Sequence, residues 1–176
     1  MTYLQTNLAE KLPADTYATD EDFCRVFAEG LDDLYQLSLL LTGNHELAEQ
    51  CFVAGLEHCI QANEAFRKWA RSWAKRIIIQ IAIRELKPRP RVASPFLIPV
   101  AIRMRDLPKD GRRHFQLAAI LALEDFERFV FVMSVLERYS EYDCALLLNC
   151  TRGQINEARS VVLVQLTESA LSVGAG

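Results

Sequence analysis

No run of about 18 apolar residues occurs in this chain, so no membrane-spanning helix is expected. Glycine is scarce, at 7 of 176 residues, and no glycine-rich stretch is placed to cradle a phosphate. Proline is scarce as well, yet Pro88, Pro90, Pro95, Pro99 and Pro108 crowd into one segment. The five cysteines, Cys24, Cys51, Cys59, Cys144 and Cys150, form no C-x-x-C pair. Their odd number argues against a closed disulfide framework, and they read as small buried hydrophobes in a reducing compartment. His58, Cys59 and Cys51 form the one cluster resembling a metal site, and no convincing further ligand completes it. No cofactor is therefore expected. Paired acid and base residues and nucleophile constellations are also missing, so the chain is not expected to be an enzyme. The first twenty residues lack the basic head and apolar centre of a secretory signal, which leads to an expected cytoplasmic location.

What is present is helical periodicity. Apolar residues make up 51% of the chain and charged residues 24%, enough for one ordinary domain or two small ones. The expected fold class is all-α, with two small helical units (20–86 and 115–176) joined by a basic, proline-rich linker (87–114). Residues 1–19 read as a flexible arm. Charge is distributed in blocks: about −9 over 20–65, about +11 over 66–114 and about −4 from 115 onward, within a total of −3. A basic middle between acidic ends suits polyanion binding, or the blocks complement one another inside the fold.

Thr19 with Asp22 has capping-box spacing, and Phe23, Phe27, Leu31, Leu34, Ser38 and Leu41 then read as one helical stripe. Thr42-Gly43-Asn44 stops it. A second helix is expected from His45 to about Gln61, with Ala48, Cys51, Phe52, Gly55 and Cys59 on one side. A long helix follows through Leu86. Its apolar positions include Phe66, Trp69, Trp73, Ile77 and Ile81, and the Ile77-Ile78-Ile79 run marks it as central. After the linker, short helices are expected at about 114–123 and 124–137, the latter with Phe126, Val130, Met133 and Leu136 inward.

Residues 140–166 have helix-turn-helix grammar. Ser140 and Asp143 have capping-box spacing, Asn149 suits a left-handed turn, and Thr151 can cap a second helix carrying Ile155, Ala158, Val162 and Leu166 inward. In such motifs the second helix enters the major groove. Residues 172–176 are expected to fray.

The words LLLTGNHELAEQCF and FRKWARSWAKRIII, followed after the linker by LALEDFERFVFVMSVLERYSEYDCALLLNCTRGQI, resemble the sigma-70 family, extracytoplasmic-function type. Residues 23–86 resemble its first conserved block and 115–166 its second. The resemblance implies a transcription initiation protein that binds the RNA polymerase core and promoter DNA. It implies that Glu46, Glu49, Gln50 and Val53 face the polymerase. It further implies that Arg71, Lys75, Arg76 and Arg84 meet promoter backbone, and that Arg152, Gln154, Asn156 and Arg159 meet the −35 region.

The chain departs from the family pattern at Gln50, Val53 and Ala54, at a short 61–65 loop, and at Asn156, Ala158, Val161 and Leu163, where family members are commonly basic. Each lost cation removes a phosphate contact. The alternative implied is a sigma-like interaction protein that binds an anti-sigma factor or another protein without reading a promoter. Val161 and Leu163 are expected to be covered by the N-terminal unit, by the 96–102 stretch or by a second subunit.

Overall fold

Thr19 opens the first helix as its spacing to Asp22 predicts. Its hydroxyl accepts the Asp22 amide while the Asp22 carboxylate accepts the Thr19 amide, so two otherwise orphan donors are satisfied. The computed structural model describes residues 17–62, 65–90 and 117–174, and over these the fold is all-helical. In chain order the helices are α1 (Asp20–Glu29), α2 (Leu31–Thr42), α3 (His45–Ala62) and α4 (Ala70–Leu86). A 3₁₀ turn, Arg67–Trp69, leads into α4. Then come α5 (Asp125–Phe131), a π turn (Val132–Leu136), α6 (Glu141–Leu147) and α7 (Arg152–Gly174). Residues 117–121 are also helical. Residues 1–16 of the expected arm (1–19), residues 91–114 of the expected linker (87–114), and residues 115–116 lie outside the described residues.

Four local expectations need correction. The stripe from Phe23 to Leu41 is two helices, broken at Gly30. A Cβ there would lie 2.7 Å from the Val26 carbonyl oxygen, so a side chain would force the backbone apart. Leu31 is consequently exposed and leaves the stripe. Trp69 belongs to the 3₁₀ turn, whose three-residue period rotates it off the α4 core face, and it is 54% exposed. The helix expected over 124–137 finishes as a π turn, in which the Glu137 amide donates to the Val132 carbonyl five residues back. That wider turn swings Leu136 outward, to 43% exposure, while Phe126, Val130 and Met133 are buried as expected. Helix α7 continues to Gly174, through the start of the stretch expected to fray.

The end of the arm is pinned. Ala18 is buried, its amide donates to the Ala65 carbonyl at 2.8 Å, and Tyr17 pairs with Phe66 in an isolated antiparallel bridge. Lys87, in the left-handed region at φ 49°, closes α4, and residues 87–90 have no regular structure.

Helix α4 is central, as the Ile77–Ile79 run predicts; all three are buried and α1, α2 and α3 pack around them. Helix α2 carries a second contact, against α5 and the π turn. The buried side chains therefore form one continuous cluster, from Phe23, Leu34 and Ile78 through Phe129 and Met133 to Cys144 and Ile155. Leu123, Phe131 and Val162 form a smaller cluster, with Ile120 and Leu166 packed against it.

Gly43 ends α2 in the left-handed conformation at φ 68°, and the Arg128 guanidinium lies against it. Arg128 is itself buried. It donates to the Leu41 carbonyl at 3.3 Å, to the Leu123 carbonyl at 2.8 Å and to Asp125 at 2.5 Å. One side chain thus satisfies the open end of α2 and the start of α5 together.

Candidate functional site

Residues four apart on a helix stand one above the other, so Arg67, Arg71 and Lys75 form a cationic stripe along the entry and first turns of α4. Each meets an acid from a different element. Arg67 Nε lies 2.8 Å from Asp22 in α1, Arg71 pairs with Asp33 in α2, and Lys75 Nζ lies 2.9 and 2.8 Å from the two Glu137 oxygens. The first two arginines are half exposed, and such pairs contribute little because water and salt screen them. Lys75 and Glu137 are more withdrawn, with side chains 26% and 17% exposed. The acidic and basic blocks therefore do complement one another within the fold at these three positions.

The four α4 residues expected at DNA are not brought together. Arg71 and Lys75 share the stripe. Arg76 is half-buried beside Tyr139, whose phenol is pushed up by burial, an effect that the Arg76 charge partly offsets. Arg84 lies nine residues beyond Lys75, about 180° around the helix at 3.6 residues per turn, and sits 3.7 Å from Glu85.

On α7 the expected residues do gather. Ser140 caps α6, Asn149 takes the left-handed conformation at φ 50°, and Thr151 caps α7. Arg152, Asn156 and Arg159 then share one face at i, i+4 and i+7. All three converge on Glu141 at the start of α6: Arg159 at 3.2 Å, Asn156 at 3.4 Å and Arg152 at 3.7 Å. Gln154 has a different job. Its side-chain oxygen accepts from the Thr151 amide at 2.9 Å and hydroxyl at 3.1 Å, while the Thr151 hydroxyl accepts the Gln154 amide. The signal was in the sequence, since Thr-x-x-Gln is capping-box spacing.

The apolar margin of α7 splits. Ile155, Ala158 and Val162 are buried and Val161 is half-buried, but Leu163 is 56% exposed and Val164 is exposed beside it. The expected cover over Leu163 is thus not supplied by the described residues. Four consecutive residues sweep the whole circumference of a helix, so one of them must face away from any single core.

Glu46, Glu49, Gln50 and Val53 lie at i, i+3, i+4 and i+7 of α3, and all are exposed. They form one acidic face with an apolar side chain within it. Cys51 and Cys59 point the other way, into the core, whereas His58 is exposed, so the helix separates the residues that resembled a metal cluster. Burial pushes the Cys59 thiol up to about 12 and Cys144 to about 11, which keeps both protonated at neutral pH. Cys24 alone is exposed.

One group was missed in the sequence, because Phe66 and Trp69 read as apolar positions of the long helix and Tyr17 as part of the arm. Tyr17 stacks on Phe66 at 4.9 Å, Phe66 meets Trp69 edge-on at 5.3 Å, and Lys68 Nζ lies 4.5 Å from the Trp69 ring centre. Trp69 itself is exposed, in the turn that leads into α4. Neither a family model nor a curated protein sequence matches this chain.

Proposed function

We propose that this chain is a sigma-like transcription initiation protein that docks on the RNA polymerase core through the outer face of α3 and holds promoter DNA at the start of α4. The observation that carries the reading is the exposed Trp69, braced by Phe66 and with the Lys68 ammonium 4.5 Å from its ring centre. An aromatic platform with a cation against it suits unpaired bases on a phosphate backbone, since every base offers a stacking face. The left-handed turn at Asn149 between two capped helices supports a duplex-facing role for Arg152, Asn156 and Arg159. The acidic face of α3 with Val53 supports a protein contact.

The test pairs two measurements. The purified chain should retain core polymerase from its native cell, and Glu49→Lys with Val53→Glu should abolish retention without unfolding α3, because both positions are exposed. A labelled single-stranded oligonucleotide should bind, and Trp69→Ala should weaken it by ~1–3 kcal/mol. Equal affinity of parent and Trp69→Ala would remove the stacking role.

A second reading is a sigma-like interaction protein that binds an anti-sigma factor. The convergence of Arg152, Asn156 and Arg159 on Glu141 favours it, as does the exposed Leu163–Val164 edge. Capture of a small partner protein in place of polymerase subunits would select it.

A further inference from the structure

The contact between the N-terminal helices and the C-terminal helices is built differently at its two ends. At one end Arg128 is buried and tied to the Leu41 carbonyl of α2, to the Leu123 carbonyl and to Asp125. At the other end the chain passes through the π turn and then through Arg138, which is in the left-handed region at φ 58°. Arginine has no side-chain reason to adopt that conformation, and π turns interrupt regular helices at places of functional use. Between these two irregularities sits Glu137, on Lys75.

Beneath Glu137 the packing is open. A crevice of about 250 Å³ runs between α2, α4 and the π turn. Its apolar lining is Leu37, Leu40, Val132 and Leu136, and Asp33, Gln36, Lys75 and Glu137 also line it. The crevice is open to solvent and Leu37, Leu40 and Val132 are buried at its floor, so the Lys75–Glu137 pair closes the rim of an apolar contact.

We infer that Lys75–Glu137 is an electrostatic latch, that Arg128 is its pivot, and that a nucleic-acid backbone opens it by taking Lys75 from Glu137. This assignment of the opening ligand rests on the nucleic-acid reading above. When the latch is closed, the three cations of the stripe face Asp22, Asp33 and Glu137, so the stripe is neutralised. Asp33 and Asp22 hold exposed arginines that water already screens, and phosphates displace them readily. Lys75–Glu137 is the one pair of the three in which both side chains are withdrawn. Removing Glu137 from Lys75 frees the cation and loosens the π turn from α2 together, which couples binding at α4 to movement of α5, α6 and α7.

The experiment uses the full chain in four forms: parent, Glu137→Gln, Lys75→Glu, and the charge swap Lys75→Glu with Glu137→Lys. Amide hydrogen exchange reads closure without any ligand. Exchange at residues 132–137 and 36–41 should accelerate in Glu137→Gln and in Lys75→Glu, return toward the parent in the swap, and stay unchanged in α3 in every form. A labelled single-stranded oligonucleotide reads the mask. Glu137→Gln should bind it about fivefold tighter than the parent, the size of one ion pair removed from competition, with a salt slope steeper by about 0.7. The swap should close but bind more weakly than the parent, because position 75 then repels phosphate. Exchange in Glu137→Gln equal to the parent overturns the latch. Faster exchange with an unchanged oligonucleotide affinity overturns the masking. Faster exchange restored by the swap, with no form binding the oligonucleotide, supports the latch and overturns the nucleic-acid reading alone.

Discussion

The α4 stripe and the α7 face present cations of the same type, and acids hold them in opposite ways. On α4 each cation has its own acid, and the partners come from α1, from α2 and from beyond the π turn, 45, 38 and 62 residues away. On α7 three donors share Glu141, which belongs to the preceding helix and lies 15 residues from Asn156 and 18 from Arg159. The difference separates two kinds of restraint. The α7 arrangement is local and survives as long as α6 and α7 stay paired. The α4 arrangement reports on the whole fold, because Lys75 can meet Glu137 only when the C-terminal helices sit against α2.

The largest effect should come from breaking that long-range route at its buried anchor. Arg128→Met keeps much of the side-chain volume but leaves the Leu41 and Leu123 carbonyls without their donor and removes a buried charge from Asp125. Unfolding in denaturant should show a loss of ~3 kcal/mol. The Lys75–Glu137 pair should weaken with it, while the α7 face keeps its contacts to Glu141. Asp125→Asn, at a half-exposed position, should cost less than about 1 kcal/mol. Equal losses for the two variants would show that the ion pair to Asp125 accounts for the whole effect and that the Leu41 and Leu123 carbonyl contacts add nothing to it.

A smaller effect is expected on α7, because one substitution there releases several donors at once. Glu141→Gln keeps the shape of the side chain and removes the charge that Arg152 and Arg159 share. Stability should fall by only ~0.5–1 kcal/mol, from the lost pairs and the lost acid in the first turn of α6. Affinity for a short duplex should rise about fivefold at low salt, and its salt slope should steepen by about 0.9 for each phosphate gained. Unchanged duplex binding would mean that the α7 face does not meet DNA even when its cations are free, which strengthens the protein-partner reading.

These contrasts explain which parts of the molecule were legible in the sequence. Helix positions were, because burial of one face imposes a 3.6-residue period that Phe23, Ile78, Ile155 and Val162 obey. Caps were legible at Thr19, Ser140 and Asn149, because each depends on residues at most three apart. The break at Gly30 was hidden, since Leu31 and Leu34 continue the apolar period across it. The π turn was hidden for a related reason: one extra residue in a turn changes which side chain faces inward without changing composition, as Leu136 shows. Long-range ion pairs were the least legible. Nothing in the spacing of Lys75 points to Glu137, because pairing across 62 residues is decided by how helices pack. The candidate site was readable as a set of cations and unreadable as a set of partners.

The smallest expected effect concerns acid, and it isolates one of the three α4 partners. The Thr19 amide donates to the Asp22 carboxylate and is the main reason its pKa lies below the ordinary 3.8; burial opposes this, and the Arg67 side chain and the Thr19 hydroxyl add to the lowering. A carboxyl whose folded pKa is depressed stabilises the fold above its unfolded pKa, and that contribution is lost as pH falls through the folded value. Stability should therefore decline as pH drops below about 4, because the unfolded chain there binds a proton that the folded chain refuses. Asp22→Asn should flatten this part of the profile. Thr19→Ala should retain most of it, since the backbone amide remains, although it removes a helix cap and should cost ~1 kcal/mol at every pH. Arg67→Gln should fall between them. Thermal unfolding of the four proteins between pH 2.5 and 5 separates the outcomes. If Arg67→Gln flattens the profile as fully as Asp22→Asn, the ion pair and not the backbone amide sets the Asp22 titration, and the first rung of the α4 stripe is stronger than its exposure implies.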